Sequence, residues 1–317
     1  MRRAGAGAAA RRARSLRVSG RSDHDQARLA ICERHARHYG EDWWFLAYHG
    51  WSNTEAGKPG TGLEQTQRSL ALRRGNGHGA YALAHTYFEL GDAMEGERFL
   101  SSWLDRHPHS GFMRWHLTWH QALLRIEAGD GDGAFTMFRD QLRLSTSGAP
   151  PINVMSDGAS LLWRLALEGR EISRADWDEI ADYGDRHVPA AGNHFTDLHY
   201  VLTAAAMRDD ARLARRIAEL EALHARGRLA PGAVALGLCD GARAIAAGDP
   251  QAAILILEPI MPEVVRIDGS HAQRELWEDM LIAACLRAHE TEKARRLIDG
   301  RLHRRPSARN EVWLASL

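Results

Sequence analysis

The sequence predicts an all-α fold, an α-solenoid of about seven antiparallel helical hairpins, and three observations carry that prediction. First, no stretch beyond residue 22 alternates apolar and polar residues with β-branched enrichment, as a half-buried strand would. Second, short turn signals recur at Gly91-Asp92, Gly129-Asp130, Gly169-Arg170, Arg208-Asp209, Gly248-Asp249 and His289-Glu290, spaced 38 to 41 residues apart. Gly57 precedes the first of them by 34. A steady period in this range marks stacked hairpins, each burying an apolar face on the next. Third, small residues sit where paired helices must approach closely: Ala84 and Ala122 before a turn, and Ala134, Ala253 and Ala294 after one.

The segments follow in order. Residues 1–22 open with "MRRAGAGAAARRARSLRVSG", basic and free of acids, which reads as a disordered tail ahead of one solenoid domain over 23–317. After Gly91-Asp92, "AMEGERFLSSWLDRHP" forms the second helix of a hairpin that Pro108 closes, because proline cannot continue a helix. "LSTSGAPPINVMSDG" (144–158) is a long irregular link within the solenoid, and "PAAGNH" (189–194) is a shorter one. "GARAIAAGDPQAAILILEP" repeats the small-residue pattern around Gly248-Asp249. "TEKARRLIDGRLHRRP" then places Pro306 seventeen residues past its turn, as Pro108 is past Gly91.

Composition excludes several classes. Formal net charge is zero, so no global basic field draws nucleic acid or anionic lipid. Lysine occurs only at Lys58 and Lys293, a compositional bias toward arginine and not a recognition surface. Cys32, Cys239 and Cys285 are far apart with no C-x-x-C spacing, which fits free thiols in a reducing, cytoplasmic setting. No apolar run approaches the ~18 residues of a membrane span.

The polar residues with chemical potential fall on the first helices of the hairpins, which line the concave face of such a solenoid. His78 and His116 both lie thirteen residues before their turn glycine, His85 six before and His120 nine before. His116 and His120 in "RWHLTWHQALLRIEAGD" share one helix face and form half of a metal site, or else pack against Trp115 and Trp119. The pair is not an H-E-x-x-H motif, since Leu117 stands in the glutamate's place. His199 or His271 could supply a third ligand for a divalent metal. His85 and Glu89 are four apart, so a carboxylate could orient an imidazole; Asp157 and Asp197 lie near helix N-termini on the same inner face. "DGSHAQRELWED" starts a capped helix whose N-terminus, with Gln273 and Arg274, suits an anion. No serine triad, phosphate-binding glycine loop or zinc ribbon is present in the sequence.

Together "AHTYFELGD", "HLTWHQALLRIEAGD", "DGASLLWRLALEG", "FTDLHYVL", "GARAIAAGD" and "GSHAQRE" resemble, in order over about residues 43 to 306, the tetratricopeptide repeat protein 38 family in its bacterial relatives. The resemblance implies a tetratricopeptide-like helical solenoid and points to His85, His116, His120, Asp157, Asp197, His199, His271, Gln273 and Arg274. Two departures stand out. Family members usually carry more N-terminal helices, and many have a histidine where this chain has Tyr81.

Two functions are expected from this reading. One is a cytoplasmic repeat protein binding a partner peptide or small anionic molecule in a concave pocket. His78, His85, His116, His120, His199, His271 and Gln273 would line it, with Arg274 as the anion contact. The other is an enzyme with candidate catalytic residues His85, Glu89, His116, His120, Asp157, Asp197, His199 and His271. Its chemistry would be metal-assisted through His116, His120 and His199 or His271, or acid–base.

Overall fold

The computed structural model describes residues 19–107, 111 and 113–317; Pro108 and most of the basic tail lie outside the described residues. Among the described residues there are sixteen α-helices and no strand. Seven hairpins are formed by α2 (Trp43–Glu55) with α3 (Pro59–Leu72), α4 (Gly77–Leu90) with α5 (Ala93–Arg106), and α6 (Met113–Glu127) with α7 (Gly131–Gln141). They continue through α8 (Pro151–Leu167) with α9 (Arg174–His187), α10 (His194–Ala206) with α11 (Asp210–Ala225), α12 (Ala233–Ala247) with α13 (Pro250–Leu257), and α14 (His271–Arg287) with α15 (Thr291–Arg304). Helices α1 (His24–Tyr39) and α16 (Ala308–Ala315) flank them. The chain is therefore an all-α, tetratricopeptide-repeat-like solenoid.

All seven turns are built alike. Gly57, Gly91, Gly129, Gly169, Arg208, Gly248 and His289 each take positive φ. Each donates its N–H to the carbonyl three residues back, and the next residue donates to the carbonyl five back. This left-handed cap satisfies carbonyls that the helix end would leave bare. Arg208 and His289 adopt it at a cost of about 1–2 kcal/mol that glycine avoids. The following aspartate then starts the second helix: Asp130, Asp209 and Asp249 accept from the N–H three residues on.

Among the described residues, the side expected to form an open groove is crossed by a helix. Helix α14, from the last hairpin, packs across the inner faces of α4 and α8, and α16 packs on α6. The two ends also meet. His24 Nε2 lies 3.0 Å from the Val265 carbonyl, Arg266 donates to the Gly20 carbonyl, and Asp25 accepts from Arg274 at 2.9 Å. The chain's own last repeat thus crosses the inner side, and His85, His116, His120, His199, Gln273 and Arg274, expected to line a groove, are buried. A buried charge network sustains this closure. Glu127 and Asp279 accept from Arg309, Asp279 and Glu275 from Arg301 and Arg305, and Arg164 lies 3.4 Å from Asp279.

Gly91 shows how tight the closure is. Its φ is +75°, and a Cβ there would stand 2.6 Å from the Pro306 carbonyl oxygen and Cδ. Gly129, with φ +84°, has nothing within 4 Å of that point. Gly91→Ala is expected to lower stability by about 2–3 kcal/mol and Gly129→Ala by about 1–2, as read in urea titration. Equal losses would mean that Pro306 does not press on this turn.

Candidate functional site

Two first helices, α4 and α6, bring three imidazoles together, and α2 and α8 supply carboxylates beside them. His85 sits mid-way along α4, flanked by the small buried residues Ala80, Ala82 and Ala84 that let neighbouring helices approach. His116 and His120 lie one turn apart on α6 and face it. One ring nitrogen from each of the three lies within 4.8 Å of the others. Ring centroids are 4.3 Å apart for His85 and His120 and 4.7 Å for His116 and His120, both edge-on. Tyr81 lies against all three rings, and His116 stacks on Trp119. His85, His116 and His120 are all buried.

Two carboxylates hold two of these rings. Asp157 Oδ2 is 2.8 Å from His116 Nδ1, and Glu55 Oε1 is 2.9 Å from His85 Nδ1. The other oxygen of Glu55 accepts the backbone N–H of His271 at 2.8 Å, at the start of α14. Burial opposes ionisation of Glu55, but the His85 contact outweighs it and holds the carboxyl down at about 2. Burial lowers the pKa of His85, and lowers His120 well below the usual imidazole range with help from its two histidine neighbours. Burial raises Asp157 against the pull of His116. Glu55 Oε1 and His85 Nδ1 are therefore in ion-pair contact, although neither atom has hydrogen-bond alignment with the other. His120 Nε2 is buried and has no hydrogen-bond partner among the described residues.

The remaining expected residues lie elsewhere. His199 is buried with Nδ1 2.7 Å from the Phe195 carbonyl, to which it donates, and burial lowers it to about 4. It is not in the cluster: His85, and not His199 or His271, lies beside His116 and His120. His271 pairs with Glu89 at 2.8 Å, and Glu89 rather than burial governs its raised pKa. The expected His85–Glu89 pair therefore gives way to two pairs, His85–Glu55 and His271–Glu89. Asp197 accepts from Arg216 and from the Gly192 N–H, an interior ion pair within its own hairpin. Gln273 completes the capping box with Ser270, and His78 is exposed. Arg274, expected to meet an anionic ligand, instead donates to Asp25 and to the Gly269 carbonyl. The helix N-terminus expected to seat an anion is already occupied by Glu55. A surface recess between α14, α15 and the segment Glu258–Ile267 is lined by His271, Arg274, Glu275 and Arg304, with Met261 and Val265, and its lining includes none of the three clustered histidines.

Glu55 went unnoticed in the sequence, although a signal existed. It is the last residue of α2, where the helix dipole disfavours a carboxylate. Glu89, Glu127 and Glu168 repeat this placement near the ends of α4, α6 and α8, and each has a cationic partner from the last hairpin or α16.

No protein-family model matches the sequence. Among solved structures the chain is similar to a tetratricopeptide repeat protein from Parabacteroides merdae ATCC 43184, at 16% identity over 86% of this chain and 98% of that one, with a TM-score of 0.45. No helix among the described residues is long and apolar enough to cross a membrane.

Proposed function

We propose that this chain is a helical-repeat binding protein that receives a small ligand or ion at the enclosed histidine centre, with residues 23–317 acting as one unit. The reading is carried by the convergence of His85, His116 and His120 on one buried point, with Glu55 and Asp157 orienting two of the rings. A packed interior that needed only bulk would not require three histidines and two carboxylates, because each buried polar group costs free energy unless partnered. A partner peptide laid along a concave groove is disfavoured, since that space holds α14. The three cysteines are free and buried, which supports a cytoplasmic setting, and the ordered motifs support kinship with the tetratricopeptide repeat protein 38 family.

A second reading is an enzyme. Two imidazole–carboxylate pairs in one enclosed site are the arrangement general acid–base chemistry uses, with Asp157 hydrogen-bonded to His116 and Glu55 beside His85. Both readings share one test. Thermal melts of the full chain are run with phosphate, acetate, citrate and divalent chlorides, for the wild type and His120→Gln. At least one addition is expected to raise the wild-type Tm by several degrees and to leave the variant unmoved. No shift with any of them, or equal shifts in both proteins, would overturn the assignment of this centre as the ligand site.

A further inference from the structure

We propose that His85, His116 and His120 together ligate a single divalent transition-metal ion of the zinc class. The proposal rests on the reading of the enclosed centre as the ligand site and goes on to name its occupant.

The donor set is the first argument. Three imidazoles, with no thiolate or carboxylate in the same group among the described residues, suit zinc, cobalt, nickel or copper, and do not suit calcium or magnesium, which take oxygen ligands. Two come from one helix turn of α6 and the third from the neighbouring first helix α4, so the site is built from two rigid, buried elements.

The tautomers are the second argument. A metal-bound histidine commonly donates its other ring N–H to a carboxylate, which fixes the ring and raises its basicity. His116 places Nδ1 on the buried carboxylate of Asp157 at 2.8 Å, while His85 has Nδ1 2.9 Å from Glu55 without hydrogen-bond alignment and a buried Nε2 with no partner among the described residues. His120 contributes a buried Nε2 with no hydrogen-bond partner.

Placement is the third. Glu55 and Asp157 are both buried and lie directly behind two of the three imidazoles. Simple aromatic packing among Tyr81, Trp119 and the three rings accounts for their contacts, but gives no reason for the two carboxylates. Tetrahedral bonds of about 2.0–2.1 Å imply nitrogens about 3.4 Å apart, so the rings draw together from within 4.8 Å on binding. Three protein ligands leave one place for water or a substrate atom.

The test uses the full chain stripped with dipicolinate and titrated with Co2+ and Zn2+. One Co2+ per chain is expected, with intense visible d–d bands of a low-coordinate site and X-ray absorption showing three imidazole nitrogens. Zn2+ should displace it. His85→Gln and His120→Gln should each weaken Zn2+ binding at least 100-fold, Glu55→Gln and Asp157→Asn by 10- to 100-fold, and His199→Gln not at all. Far-UV circular dichroism in the absence of metal separates these effects from unfolding, and the wild-type spectrum needs no variant. Absence of tight 1:1 binding, or a cobalt spectrum of six oxygen ligands, overturns the metal proposal. If phosphate or citrate still stabilises the wild type and not His120→Gln, the enclosed ligand site survives without the metal. If neither metal nor anion acts through His120, both readings fall.

Discussion

Asp279→Asn is expected to destabilise the protein by about 3–5 kcal/mol. Asp279 is fully buried among Arg301, Arg309 and Arg164, at 2.5, 3.2 and 3.4 Å. Burial alone would raise its pKa, but these three guanidiniums reverse the direction and keep it ionised. The amide keeps the shape and removes the charge, so the three cations are left under-compensated in a dry interior. Arginine cannot escape by deprotonating. Urea unfolding followed by circular dichroism reads the loss. A change under about 1 kcal/mol would mean that water or the neighbouring Glu275 and Glu127 already balance these arginines.

Acidification from pH 6.5 to 4 is expected to cost about 3 kcal/mol through His199 alone. Its folded pKa is lowered by burial from the ordinary 6.5 to about 4. The unfolded chain therefore binds more protons within that window, so stability rises with pH across it and falls as pH drops. A depression of this size corresponds to about 3 kcal/mol at full effect. His85 and His120, also lowered, add in the same direction. His271, raised chiefly by Glu89, works the other way. Its contribution is present below the unfolded value and is lost as pH climbs through the folded one. Tm measured from pH 7.5 to 4.0 should therefore slope downward toward acid, and His199→Gln should flatten part of the slope. Identical slopes in the two proteins would remove His199 from this account.

The fold was legible because its punctuation is local. Each Gly-Asp signal encodes a left-handed cap followed by an N-cap aspartate, and the structure has such a cap at every expected turn, even at Arg208 and His289. The placement of polar residues on first helices was legible for the same reason, since distance from the turn fixes the helix face. Which of those residues meet was not legible. His85 and His116 are 31 residues apart in sequence, and Glu55 and His271 are 216 apart. Their pairing depends on the superhelix curling far enough for α14 to cross α4 and α8, and that curvature accumulates from small rotations at each interface. Arg274 shows the consequence: its sequence context suggested a ligand contact, but the curl delivers Asp25 to it.

That same closure alters how the molecule can unfold. In an open array of repeats, stability is close to a sum of nearest-neighbour terms, and the ends fray while the middle persists. Here the last hairpin and α16 bind the first, second, third and fourth hairpins or the helix preceding them, so no repeat is terminal in the energetic sense. Partial unfolding would expose a charged interior, and the chain should melt in one cooperative step instead of peeling from an end. The joint between Glu55 and His271 also makes residues at opposite ends of the sequence mutually dependent. A growing polypeptide therefore cannot finish orienting His85 until the seventh hairpin has been made.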